Sequence, residues 1–240
     1  MNNFFRVKFA LAAKDVGKVF QQIQEYEYVE SSDYNNPYYF KNVEFDNGKI
    51  NHDVDFPYFV LHNNAKLSDF VSTTGFSPHY CIISCKFLNL LKNFKIDDYQ
   101  TFEIKIKTKN GFHDYFLFYM YAPEREAEFI NWEETTFRIK PYMREYETDQ
   151  IIKFESRQDY TKLRMELFNE KPKQVQEIEL TKLKLKEESI DKDMFRFGGV
   201  SLAFFVSEAL KEEIEKQGIT GIRFKEADGL REPYYQPQGV

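Results

Sequence analysis

The chain has 240 residues, of which 33 are Lys or Arg and 39 Asp or Glu, a net charge of −6 and a 42% hydrophobic fraction. That length can form the core of one large domain or two small ones. The acidic balance excludes general nucleic-acid binding, and two cysteines exclude a multi-bridge secreted scaffold.

Arg6 and Lys8 precede the short run Phe9–Ala13, which falls below the roughly 7–15 apolar residues of a signal-peptide core. No stretch reaches the roughly 18 consecutive apolar residues of a membrane span. Phe5, Val7 and Phe9 alternate with those two cations and predict a strand. Asp15 is placed to cap a helix with Val16, Val19, Phe20 and Ile23 on one face. Ser31–Pro37 reads as a loop. Tyr38–Phe45 and Tyr58–Leu61 read as strands, and Leu67–Val71 as one or two helical turns broken by Ser77-Pro78. His79–Ile83 leads into Ser84, an N-cap for a helix carrying Phe87, Leu88, Leu91 and Phe94.

Phe102, Ile104 and Ile106 alternate with charges before Asn110-Gly111, and Tyr115, Leu117, Tyr119 and Tyr121 follow. This predicts a β-hairpin with a type I′ turn, both turn residues tolerating positive φ. Phe116 and Phe118 on the opposite face predict a second strand buried on both sides. Past Ala122-Pro123, an acidic segment holds Glu124, Glu126, Glu128, Glu133 and Glu134, with Arg125 as its only cation and Trp132, the only tryptophan, inside it.

Thr135–Lys140 and Gln150–Glu155 read as strands, and Ser156–Phe168 as a helix with Tyr160, Leu163, Leu167 and Phe168 on its face. Between Val175 and Leu185 the apolar alternation changes phase, which predicts a strand with a bulge or turn near Thr181. Phe195, Phe197 and the run Val200–Val206 lead to Ser207, the cap of a second amphipathic helix. That helix ends at Gly218, a residue suited to the left-handed conformation after a helix, and Gly221 opens a return strand. The Ser84 and Ser207 units echo one another; duplication and convergent geometry both produce such an echo.

Few residues form a pattern that chemistry could use. His52, His62, His79 and His113 lack paired-ligand spacing, and His79, Cys81 and Cys85 fall short of a four-ligand zinc site, so neither metal nor cofactor is expected. Ser84 and Ser207 lack a nucleophile elbow. Cys85 sits where a helix N-terminus lowers a thiol pKa, so a hydrolase using His79 or His113 as base is one alternative reading. A small-ligand or glycan module using Tyr34, Tyr38 and Tyr39 is another. The acidic segment suits a basic protein partner, with Glu124, Glu126, Glu128, Glu133 and Glu134 steering it and Trp132 as an anchor.

Three stretches carry a resemblance: Asp193-Met194-Phe195-Arg196, Phe205–Lys211 and Gly218-Ile219-Thr220-Gly221-Ile222-Arg223-Phe224. With Ile82-Ile83-Ser84 through Phe94 to Tyr99-Gln100, they resemble the Imm11-type immunity proteins of bacterial polymorphic-toxin systems. The resemblance implies a cytoplasmic antitoxin that binds and blocks a cognate toxin domain, often a nuclease, with no catalytic residue of its own. The fold expected is α+β: a mixed or antiparallel sheet around the Asn110-Gly111 hairpin, with about four helices packed on it. The whole is expected as one domain over 1–240, divisible into lobes 1–140 and 150–230, with a flexible tail over 233–240.

Overall fold

The computed structural model describes residues 3–19, 21–28, 35–45, 48–73, 80–121, 126–141, 151–169, 176–197, 200 and 203–227. In chain order the strands are β1 (Phe4–Phe9), β2 (Ile23–Glu27), β3 (Tyr58–Leu61), β4 (Phe70–Val71), β5 (Tyr80–Ile83), β6 (Tyr99–Thr108) and β7 (Gly111–Met120). They continue with β8 (Thr136–Pro141), β9 (Ile151–Ile152), β10 (Gln176–Lys182), β11 (Met194–Arg196), β12 (Phe204–Ser207) and β13 (Ile222–Glu226). The helices are α1 (Ala13–Val16), α2 (Cys85–Leu91), α3 (Glu126–Phe129), α4 (Arg157–Asn169) and α5 (Glu208–Lys216). The fold is α+β, as expected. No helix among the described residues is long and apolar enough to cross a membrane.

The strands form three sheets: a six-stranded sheet in the order β2-β3-β6-β7-β5-β4, a four-stranded sheet β11-β12-β1-β13, and a three-stranded sheet β10-β8-β9. Among the strand pairs of the described residues, only β3–β6 is parallel.

Within the first two sheets lies one repeated plan. The row Phe70–Ile83–Phe116–Glu103 crosses β4, β5, β7 and β6. The row Met194–Val206–Phe5–Glu226 crosses β11, β12, β1 and β13 in the same order. In each copy the second strand runs into a serine-capped helix. Ser84 Oγ accepts from Phe87 N–H, and Ser207 Oγ from Leu210 N–H. The second copy is completed by β1, brought in from the other end of the chain.

The copies face each other across one apolar core that includes Phe70, Ile83, Phe87, Leu91, Met194, Val206, Leu210 and Ile214. Helix spacing places Phe87 and Leu91, like Leu210 and Ile214, four residues apart on one helix face. Each sheet buries its other face in a separate cluster. Phe45, Phe59, Ile82, Leu117 and Tyr119 cover the six-stranded sheet. Phe4, Phe195, Phe205, Phe137 and Trp132 join the four-stranded sheet to the smallest one. Leu117, Phe118, Tyr119 and Met120 are all fully buried, so β7 is covered on both sides, as its residue pattern predicts.

Several local expectations change. The hairpin reverses through Lys109 and Asn110, because Thr108 pairs with Gly111. Only Gly111 takes positive φ, at +122°, so the type I′ geometry is corrected: one left-handed position suffices and glycine, lacking Cβ, takes it. The Asp15 helix shrinks to four residues capped by Ala12; it ends at Gly17, and Ile23 lies in β2, paired with Leu61 of β3. Tyr38–Phe45 contains a single 3₁₀ turn, Phe40–Asn42, and Leu67–Val71 ends in β4 rather than in a helix. Both are cases where packing under the large sheet overrides a short and ambiguous local pattern. The register shift in β10 falls between Leu180 and Lys182, as the phase change predicts.

Candidate functional site

The acidic segment folds into α3 and the tight turn after it. Asn131 O accepts from Thr135 N–H and Thr135 Oγ1 (3.0 and 2.7 Å), and Asn131 Nδ2 donates to Glu134 Oε1 (2.9 Å). The turn is held on the strand-like run 184–186: Asn131 N–H donates to Lys184 O and Lys186 N–H to Phe129 O. Glu128, Glu133 and Glu134 are exposed. Glu124 and Arg125 lie outside the described residues, as does the side chain of Glu126.

Trp132 is 6% exposed, stacked on Phe137 and tilted against Tyr160. Its Nε1–H has no hydrogen-bond partner among the described residues. The indole therefore supports the acidic turn from beneath and presents little surface of its own. The fold also adds what the local sequence lacked. Lys184 and Lys186 come beside the turn with Glu187 and Glu188, and Lys184 Nζ lies 4.0 Å from Glu187. The surface is thus acidic with basic punctuation.

The other candidates stay apart. Cys85 is exposed at the first turn of α2, and its Sγ accepts from Asn89 Nδ2 at 3.4 Å. His113 instead contacts Thr108 Oγ1 near the hairpin turn at 3.2 Å, and His79 lies outside the described residues. Cys81 is buried, and burial pushes its thiol pKa up, which keeps it protonated. No group of three or more His, Cys, Asp or Glu among the described residues could hold a metal. Of the tyrosines, Tyr38 is 49% exposed and rests on His52, whereas Tyr39 is buried against Tyr28. Tyr34 lies outside the described residues.

A crossed pair of polar junctions, which the sequence did not announce, holds the repeated units together. Asp69 Oδ1 accepts from Ser84 Oγ of its own unit at 2.7 Å, and Asp69 Oδ2 accepts from Thr220 N–H and Thr220 Oγ1 of the other at 2.9 Å each. Asp193 repeats this: Oδ1 accepts from Ser207 Oγ at 2.8 Å and Oδ2 from Lys95 N–H at 2.9 Å. Tyr115 donates to Ser68 O beside the first junction; burial, with a smaller contribution from the Asp69 charge, pushes its phenol pKa up to about 12. The only sequence signal for these junctions is an aspartate preceding a short apolar strand.

Between α2 and α5 lies an open groove of about 520 Å³, lined by Lys86, Asn89, Phe94, Glu213, Gln217 and Ile219 among others. Helices, sheets and groove thus offer broad, open surfaces.

Comparison with known proteins bears on which use these surfaces serve. No curated protein matches the chain. A family profile, Imm43, described as Immunity protein 43, matches residues 21–237. That range contains every residue that carried the Imm11-type resemblance; it leaves out β1, and it names Imm43 where the resemblance pointed to Imm11. With so much of its length matched, the chain belongs to the Imm43 family of immunity proteins.

Proposed function

We propose that the protein is an antitoxin: it binds a cognate bacterial toxin domain one-to-one and neutralises it by covering the toxin's active site or a surface the toxin needs. The family match over residues 21–237 is the observation that carries this reading. The toxin is expected from the same polymorphic-toxin locus, with nuclease chemistry as its leading class, and the encounter is expected in the bacterial cytoplasm.

The acidic turn supports a role in recognition. Glu128, Glu133 and Glu134 project from a segment fixed by backbone hydrogen bonds, so their carboxylates are preorganised for a basic partner. Glu124 and Glu126 extend the same run in sequence. Trp132 contributes by holding the turn rather than by inserting into the partner.

On this reading the chain works by binding rather than by catalysis, and Cys85 has no catalytic task. The test is co-purification of the tagged chain with the toxin domain encoded beside it, together with rescue of growth on co-expression. A stoichiometric complex and rescue are expected. A folded chain that neither binds nor rescues against a demonstrably toxic neighbour would sink the reading for that pair.

A further inference from the structure

Helices α2 and α5 lie side by side and run in opposite directions. At one end, Asp69 joins the Ser84 cap of α2 to Thr220, just past α5. There Lys86 Nζ also donates to Gly218 O at 3.0 Å. At the other end, Asp193 joins the Ser207 cap of α5 to Lys95, just past α2. Because the rise per residue is the same in both helices, moving equally far from the Lys86–Gly218 contact brings Lys92 level with Glu212.

The groove between the helices divides charges of opposite sign. Lys86 and Lys92 give the α2 side two cations, and α2 itself holds no acidic residue. Helix α5 carries Glu208, Glu212, Glu213 and Glu215 against Lys211 and Lys216. Both of those lysines are used within their own helix, Lys211 by Glu215 and Lys216 by Glu213. Glu212 is exposed and has no ion pair among the described residues. Lys92 is exposed as well, and its Nζ donates to the neutral amide of Asn89 at 3.1 Å, so its charge stays unbalanced. The two halves of the face therefore carry equal and opposite net charge.

Such a face complements a second copy of itself. A two-fold axis along the groove keeps each residue at its own level and exchanges the two sides, so α2 of each copy lies over α5 of the other. Lys92 of one copy then meets Glu212 of the other, and symmetry makes the contact twice. An axis across the groove would instead lay basic on basic and acidic on acidic. Leu90, Phe94 and Ile219 in the groove supply apolar contact between the charged flanks. The acidic turn stays clear of this face. Leu210 and Ile214 of α5 pack in the core on one side of the four-stranded sheet, and Trp132 and Phe137 in the cluster on its other side.

We infer that the α2–α5 face seats a second copy of this chain, in a two-fold dimer joined by Lys92–Glu212 contacts. Helices of seven and nine residues are only about 10–14 Å long at 1.5 Å per residue. Their face is smaller than the roughly 800 Å² per partner of a standard interface, so the dimer is weak and forms at micromolar concentration.

The experiment is sedimentation of the full chain alone from about 1 to 500 µM, a span that covers weak association. It needs no toxin, so its outcome is separate from the antitoxin reading. A reversible monomer–dimer equilibrium is expected. Lys92→Glu and Glu212→Lys each turn both symmetric attractions into repulsions and are expected to weaken the dimer about tenfold or more, with melts like that of the unaltered chain. Mixing the two variants restores both contacts in a heterodimer, and so does the double reversal in a single chain. Restoration requires folded partners, so it separates lost pairing from a damaged fold. A monomer throughout the range would overturn the assignment, as would a dimer indifferent to either reversal or one that mixing fails to restore. A monomeric chain whose Lys92→Glu variant loses toxin binding would give the face to the toxin instead.

Discussion

Asp69 accepts the hydroxyl of Ser84 at 2.7 Å, and Ser84 N–H donates to the backbone carbonyl of the same aspartate at 2.9 Å. One residue pair therefore joins the start of β4 to the start of α2. The free carboxylate oxygen then reaches across to Thr220. Asp69→Ala removes the acceptor of three hydrogen bonds and is expected to cost about 2–3 kcal/mol in urea unfolding, against about 1 kcal/mol for Ser84→Ala. Asp193→Ala is expected to behave as Asp69→Ala does. A loss below about 0.5 kcal/mol for either aspartate, the range of an ordinary surface substitution, would remove the junctions from the account of stability.

Two glycines close to each other after α5 are expected to differ sharply. Gly221 has φ +83°, and a Cβ there would lie 2.1 Å from Phe70 O, a backbone atom that cannot give way. Gly218 has φ +60° with open space around its Cβ position. Gly218→Ala should cost about 1 kcal/mol, the left-handed penalty alone. Gly221→Ala adds a backbone clash and should cost about 3 kcal/mol or more. Thermal melts of the two variants check the difference.

Gln22 is fully buried, with its amide saturated. Its Oε1 accepts from Ser72 N–H at 2.9 Å, and its Nε2 donates to Lys66 O and Ser68 Oγ. Gln22→Leu keeps the bulk but strands a buried N–H and a carbonyl, for an expected loss of about 3 kcal/mol. Chemical denaturation measures it; a neutral result would mean that water replaces the amide.

The two thiols are expected to titrate separately. Cys85 is exposed and Cys81 buried with its thiol pKa raised, so a disulfide reagent should consume one equivalent in the native state and the second only on unfolding. Mass mapping should place the first adduct on Cys85, at the rate of an ordinary exposed thiol. A greatly accelerated rate near neutral pH would revive the hydrolase alternative.

For the acidic turn, the expectation is kinetic. Reversing Glu128, Glu133 and Glu134 to lysine together should slow association with the toxin about tenfold at low salt, with the difference shrinking as salt rises. Stopped-flow association at several ionic strengths reads this directly. Equal rates at all salt concentrations would move recognition elsewhere on the molecule.

Elements with a local cause were legible in the sequence. Ser84 and Ser207 announce their helices because a cap needs only its own side chain and the next turn. Gly218 likewise marks its helix end, and the phase change in 175–185 marks its bulge. The segments 38–45 and 67–71 depart from their local patterns because their fate depends on distant partners: Phe40 packs on Phe59 and Tyr80, and Phe70 on Phe9 while pairing with Ile83. The crossed aspartates were illegible for the same reason: Asp69 and Thr220 are 151 residues apart. Lys184 and Lys186 beside the acidic turn likewise required the fold to bring them there.

β1 also sets a schedule for synthesis. Phe4–Phe9 leaves the ribosome long before its partners, Phe204–Ser207 and Ile222–Glu226. Until then Phe4 and Val7 have no sheet to join, and the second unit stands incomplete while the first can already pair its own strands. A chain built this way gains its full four-stranded sheet only once Glu226 has been made, so a nascent chain short of that point carries the first unit alone.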